Sequence, residues 1–261
     1  MDADAASLPT ALDDAPPPFR LVVSTDLWLP RLEGDFTDAG AEVDVRDVDL
    51  HESETSFAGA LALVGDRVRV ELRGFSFSTH GSSVAESATT LGGVGLAPGD
   101  RYDSSFSWWS AGAEVSYEAL RVHRDGANGT DFGLFLLGSL DVQSVSRDLV
   151  NLTTGLATDA HEPVFVAEAG AGFRLGFDTR ASVPLFRSIE IGGKGTVGAA
   201  VPMGDGDLGG ATRIEAWFSG RVTESLSLFV GYRLVGLGLA GEEMEMTGSL
   251  QGLRAGFSYE F

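Results

Sequence analysis

Residues 249–261 read Ser249-Leu250-Gln251-Gly252-Leu253-Arg254-Ala255-Gly256-Phe257-Ser258-Tyr259-Glu260-Phe261. Leu253, Ala255, Phe257, Tyr259 and Phe261 take alternate positions, with Arg254, Gly256, Ser258 and Glu260 between them. Successive side chains of a strand point to opposite faces, so one face here is apolar and ends in aromatics while the other carries charge. Apolar towards lipid and polar towards a lumen is how a strand of a transmembrane barrel reads.

The same period recurs upstream. Phe19, Leu21, Val23, Leu27 and Leu29 alternate with Arg20, Ser24 and Asp26 before Pro30. Thr55–Val64, a Gly65-Asp66 turn and Arg67–Thr79 form a hairpin, with Val68, Val70 and Leu72 opposite Arg67, Arg69, Glu71 and Arg73. Further strands are predicted at 103–120, around 132–142, from 165 to 177, and over 187–200, 211–222 and 225–240. With the last stretch the count is ten, or twelve if the acidic segment 33–54 is itself a hairpin; eight is the lower alternative. Connections alternate short (65, 123, 181, 223) and long (33, 80, 146, 201, 241), which places both termini on one side. The expected fold is therefore all-β, an antiparallel up-and-down transmembrane β-barrel of about ten strands.

Composition sets limits. Hydrophobic residues are 43% of 261, as in a soluble protein, and no run approaches the roughly 18 apolar residues of a membrane helix. Barrels distribute their hydrophobicity by alternation, so that absence does not count against them. There is no cysteine and hence no disulfide, and a net charge of −20 argues against nucleic acid as a partner. Met1-Asp2-Ala3-Asp4 has neither the basic nor the apolar region of a signal peptide, so the sequence is read as a mature form with an added Met. Residues 1–18, small, acidic and ending in Pro16-Pro17-Pro18, read as a flexible tail and stiff linker ahead of a barrel spanning 19–261. The segment Glu33–Glu54 is the most acidic. It reads as a long loop, part of which pairs as strand through Val43, Val45 and Val48, with its acids either solvated or bridging divalent cations to lipid headgroups.

A terminal strand of this alternation closing on Phe261 resembles that of bacterial outer-membrane β-barrels. The resemblance implies an outer-membrane location, recognition of the last strand by the barrel assembly machinery, contact with outer-membrane lipids and a periplasmic tail. A second resemblance covers the first eighty or so residues. Asp26-Leu27-Trp28-Leu29-Pro30-Arg31-Leu32-Glu33-Gly34, an acidic Val-rich segment and Phe57–Phe77 are similar to outer-membrane proteins that begin with a Leu-Trp strand and a Leu-x-Gly step.

The polar faces assign Arg69, Glu71, Arg73, Glu114, Glu168, Arg174, Arg213, Glu215, Arg221, Arg233 and Arg254 to the lumen, with Arg67, Glu190 and Lys194 beside them. Mixed signs favour a salt-bridged, water-containing plug; the alternative is a narrow pore whose Arg-rich wall admits small anions. Enzymatic motifs are weak. His80-Gly81-Ser82 resembles the His-x-Ser of outer-membrane phospholipase and lipid A deacylase, but Ser83 stands where the phospholipase has Asn. Asp159-Ala160-His161 resembles the Asp-x-His of omptin proteases without a partnering Asp pair. Gly204-Asp205-Gly206-Asp207 is a fragment of a calcium loop. Asn128-Gly129-Thr130 and Asn151-Leu152-Thr153 match a glycosylation pattern common by chance. No catalytic residue, cofactor or metal is assigned. Three readings follow: a monomeric, non-enzymatic barrel, closed or a narrow pore; a barrel acyl hydrolase using Ser82 and His80; and a soluble β-barrel or sandwich with apolar residues inward around an apolar ligand.

Overall fold

The computed structural model describes residues 19–38, 41–124, 129–179, 185–242 and 244–261. The expected tail 1–18, the site Asn128 and the turn residue Pro184 lie outside them. Ten strands form the wall: β1 Arg20–Asp38, β2 Ser56–Val64, β3 Val68–Val84, β4 Arg101–Arg124, β5 Thr130–Asn151, β6 Ala157–Asp178, β7 Ser188–Pro202, β8 Gly209–Arg221, β9 Leu226–Gly241 and β10 Glu245–Glu260. Each pairs antiparallel with its chain neighbour. β10 pairs with β1 from Val22↔Glu260 to Thr37↔Glu245, which closes the ring and leaves no edge. Phe19 and Phe261 lie at the end that carries the short turns.

β4, β5 and β6 run for 24, 22 and 22 residues, about twice the ~9–11 that cross a bilayer. The reason is that each long strand alternates in two opposite senses. On β1 the outward residues are Leu21, Val23, Leu27 and Leu29, then Arg31, Glu33 and Asp35; the inward ones are Arg20, Ser24 and Asp26, then Trp28, Leu32 and Phe36. β10 repeats this in reverse, with Leu253 to Tyr259 outward near its end and Glu245, Thr247, Ser249 and Gln251 outward before them. The half nearer the short turns is apolar outside and polar inside. The half nearer the long loops is polar outside and apolar inside.

The apolar outer zone is a belt. Along β6 it runs from Phe165 to Phe177, which at ~3.3 Å per residue and ~45° tilt rises roughly 28 Å, the depth of a bilayer core. Phe57, Trp109 and Phe165 stand at its upper edge; Phe19, Tyr259 and Phe261 stand at its lower one. This exterior is the opposite of what a soluble barrel with polar residues outward would present.

Above the belt the barrel has a core of its own. Residues 41–44 pair with the end of β1, and the chain then turns into the lumen, burying Val43, Val45, Val48 and Leu50 to 3% exposure or less. A second insertion between β3 and β4 contains a small hairpin, residues 89–91 and 94–96, and buries Leu91, Val94 and Leu96. These meet Trp28, Leu32, Phe36, Phe77, Phe106 and Trp108 of the wall in one apolar cluster. The acidic segment is thus only partly a solvated loop: its acids face out while its valines join the core inside the wall. Gly81 makes room for it, because a Cβ there would lie 2.2 Å from the Asp49 carbonyl oxygen. Ser104 Oγ donates to the Val48 carbonyl oxygen and Tyr102 Oη to that of Asp47 at 3.2 Å.

Two expected loops are strand instead. Ser146–Glu162 is mostly the upper part of the β5/β6 hairpin, in which Ser146 opposes His161 across a five-residue connection, 152–156. β3 continues through His80, Gly81 and Ser82 to Val84. In both places polar side chains such as Ser78, His80, Ser146 and Asp148 face outward, which makes a strand read as polar coil when a lipid-facing pattern is sought.

Candidate functional site

The lumen within the belt is the site. Alternation on every wall strand but β2 turns charged residues inward, and the wall brings those of β1, β3, β4, β5, β6, β7, β8, β9 and β10 into one ionic layer. Arg73 pairs with Glu114 and, at 3.1 Å, with Asp141. Lys194 Nζ donates to Glu114 at 2.8 Å. Arg213 reaches Asp141 at 3.3 Å and Glu168 at 3.5 Å, and Ser139 Oγ donates to Glu168 at 3.3 Å. On the other side Glu215 lies 3.3 Å from Arg233 and 2.9 Å from Arg254. Arg254 Nε and Asp26 Oδ2 approach to 2.5 Å but off the N–H axis, so that contact is ionic. Asp141, Glu168 and Arg213 are nearly inaccessible, and shared counter-charges are what makes such burial tolerable.

Of the residues the sequence assigned to the lumen, Arg73, Glu114, Glu168, Arg213, Glu215, Arg233 and Arg254 belong to this layer. Arg69 pairs with Glu71 nearer the mouth; Arg174 pairs with Glu118 at 2.8 Å and Arg221 with Glu260 at 3.1 Å. Glu190 accepts from Trp217 Nε1 at 2.9 Å. The side chain of Arg67 has no hydrogen bond or ion pair among the described residues, while its carbonyl oxygen accepts from the Glu118 N–H at 2.8 Å. Asp26 and Asp141 were missed as members of the layer. The signal for Asp141 is its place between outward Leu140 and Val142.

Above the ionic layer aromatic rings pack into the lumen. Phe75 stands edge-on to Trp28 with centroids 5.4 Å apart and lies 6.3 Å from Trp108; Arg233 sits over the Trp28 ring. Trp108 Nε1 donates to Gln143 and Trp28 Nε1 to the Gly252 carbonyl oxygen, so both indoles are buried with their polar atoms satisfied. Phe36, Phe77 and Phe106 form the next tier, with Arg147 over the Phe36 ring. Below the ionic layer the lumen widens into a cavity of about 460 Å³ bounded by the ends of the strands at the short-turn side. Its wall carries Arg20, Arg67, Arg69, Arg73, Arg121, Arg174, Lys194, Arg213, Arg221, Arg233 and Arg254, eleven of the eighteen bases of the chain, against eight carboxylates.

The other motifs resolve differently. His80 and Ser82 lie two residues apart on the outer face of β3, opposite Ser105 and Asp103, and no hydrogen bond joins them among the described residues. Asp159 and His161 are on the outer face of β6, where His161 Nδ1 is 2.8 Å from Ser146 Oγ. Gly206 and Asp207 pair with Gly241 and Ala240, and no metal-holding group of His, Asp or Glu occurs among the described residues. Asn151 is buried: its Oδ1 accepts from the backbone N–H of Thr153 and Thr154, and its Nδ2 donates to the Gly95 carbonyl oxygen and to Asp100. The Asn-Leu-Thr triplet is a turn that anchors the second insertion.

No protein-family model and no curated protein matches the chain. Among solved structures it is similar to the outer membrane protease OmpT of Escherichia coli, at 9% identity over 94% of this chain and 97% of that one, with a TM-score of 0.42. It is also similar to Ail, the attachment invasion locus protein of Yersinia pestis, at 10% identity, 92% and 99% coverage and a TM-score of 0.38. A third is the toluene transporter TodX of P. putida, at 9% identity, 94% and 90% coverage and a TM-score of 0.32. The chain's own pairing and faces carry the conclusion: a closed ten-stranded antiparallel barrel, belted with apolar side chains and charged within, which is the architecture of outer-membrane β-barrels.

Proposed function

We propose that the chain is a monomeric outer-membrane β-barrel that is closed to solutes and has no enzymatic role. The observation that carries this reading is the double seal: a nearly inaccessible ionic layer, with a dry aromatic and aliphatic core stacked on it. A conducting pore needs a continuous wet path with sites that ions enter and leave, and the packed tiers at Trp28–Phe75–Trp108 and Phe36–Phe77–Phe106, which stand where that path would run, support closure. The short-turn end faces the periplasm, the apolar belt contacts lipid, and the closed head with its acidic exterior projects outward. The last strand is the segment that the assembly machinery engages.

The test is planar-bilayer recording of the refolded protein, with insertion checked by heat-modifiable migration in detergent gels. Inserted protein is expected to give no discrete current steps. Reproducible steps would refute closure, and anion selectivity in them would restore the Arg-lined pore. For the hydrolase reading, phospholipid turnover is expected to be nil, and turnover abolished by Ser82→Ala would refute the absence of an enzymatic role.

A further inference from the structure

Eleven bases line the cavity against eight carboxylates, with Asp141 and Glu168 as further partners behind the wall. Glu114 serves both Arg73 and Lys194; Asp141 serves Arg73 and Arg213, with Glu168 also beside Arg213; Glu215 and Asp26 are each shared by Arg233 and Arg254. At the mouth Glu118 is divided between Arg121, which also reaches Asp66 at 2.8 Å, and Arg174, and Glu260 is divided between Arg20 and Arg221. A guanidinium offers five N–H donors, and one carboxylate shared by two of them leaves several without an acceptor. The Nε–H of Arg213 is buried and unpaired, and Arg67 at the mouth has no counter-charge among the described residues. This surplus belongs to a chain with a net charge of −20, so the bases are concentrated where they face the cavity rather than spread over the surface.

We propose that the cavity binds a small polyanion, a molecule bearing two or more carboxylate or phosphate groups, admitted from the short-turn end. Three features fit. A volume of about 460 Å³ lies within the roughly 300–1,000 Å³ of small-molecule sites. Forked guanidinium donors on opposite walls match oxyanions in pairs. Phe229 and Trp217 on the same wall accept the carbon body of such a ligand, with Arg254 already seated over the Phe229 ring. The closed-barrel reading fits the site: with the lumen sealed above, the ligand is held, not passed. The proposal rests on that reading only for the compartment the mouth faces.

The experiment is titration calorimetry of the refolded full chain in detergent. Citrate and inorganic pyrophosphate are separate arms, and sodium chloride at matched ionic strength is the control. One-to-one saturable binding in either arm is expected, and the arm that binds assigns the carboxylate or the phosphate source. Affinity is expected to fall at least tenfold in Arg67→Gln and further in Arg67→Glu. The side chain of Arg67 makes no hydrogen bond or ion pair among the described residues that folding would lose, and unchanged heat-modifiable migration verifies the fold. No saturation above the chloride control in both arms, or binding unchanged in Arg67→Glu, overturns the proposal. Current steps in a bilayer alongside intact calorimetric binding would remove closure and keep the site; silence with no binding would do the reverse.

Discussion

Substituting Val45, Val48 and Leu50 together by Ser is expected to release the inserted segment while leaving the belt intact. The three side chains are 1% exposed or less, and burying each contributes about 1.5–3 kcal/mol. The triple variant therefore weakens docking of the segment by on the order of 5 kcal/mol, which at 1.4 kcal/mol per decade is roughly a thousandfold rise in the open population. Trypsin reads this directly. Arg46 lies within the segment with a side chain 56% exposed, yet cleavage needs its backbone to open, so the rate follows the opening equilibrium. Cleavage after Arg46 is expected to accelerate at least ~100-fold, with a red shift in emission as Trp28 and Trp108 become hydrated. Val48→Ala alone should give about a tenfold acceleration. Val197→Ser, on the lipid face at 69% exposure, should give none. Equal rates of cleavage in the parent and the triple variant would refute the claim that these residues form a plug.

In the ionic layer, Asp141→Leu leaves Arg73 and Arg213 short of a shared partner and should cost about 3–5 kcal/mol, seen as a lower urea midpoint in lipid; adding Arg213→Met should recover part of it, and simple additivity would argue against the coupling. Asn151→Ala breaks the turn and its bonds to Gly95 and Asp100, so hydrogen exchange over 89–96 should quicken at least tenfold while β5 in the belt keeps its protection. The backbone N–H of Ala97 and Nδ2 of Asn151 donate to Asp100, which hold its carboxyl below the usual range. The folded value is depressed, so this contribution to the 85–100 insertion is present above about pH 4 and is lost as the pH falls through the folded value. Protease susceptibility there should rise in acid, and Asp100→Asn should flatten that dependence.

The belt was legible in the sequence because one rule governs it. Leu253, Ala255, Phe257 and Tyr259 against Arg254 and Glu260 could be read from spacing alone, as could Val68, Val70 and Leu72 against Arg69, Glu71 and Arg73. The head was not legible, since there the same rule runs in reverse. Ser76, Ser78, His80 and Ser82 alternate with Phe75, Phe77, Thr79 and Gly81, which taken alone suggests a soluble strand or a polar loop. Nor does alternation say where a chain re-enters the lumen: Val43, Val45 and Val48 carried the signal, but a surrounding run of nine acids outweighed it. The ionic partners needed the register, because Arg73 and Asp141 are 68 positions apart and meet only after closure. The excess of bases on the polar faces could be read from the sequence, but the sharing of Glu114, Asp141, Glu215, Glu118 and Glu260 between two bases each could not.

The reversal of sense gives an independent check on where the bilayer sits. If it were an accident of each strand, neighbours would switch at unrelated heights. They switch together: Leu29 pairs with Leu253 just inside the boundary and Arg31 with Gln251 just outside it, while Val142 pairs with Phe165 inside and Ser144 with Pro163 at the edge. A boundary shared by hydrogen-bonded neighbours around a ring defines a plane, and a plane between two solvents is what a bilayer surface is. It also fixes the barrel against sliding. Drawing Arg31 and Glu33 down into the hydrocarbon would put charges on the lipid face at about 2–4 kcal/mol for an arginine near the midplane. Raising the barrel would expose Leu27, Leu29 and Leu253 to water at ~1.5–3 kcal/mol each. The head with its apolar core is therefore held above the bilayer and the charged cavity within it, and each part is built for the medium it occupies.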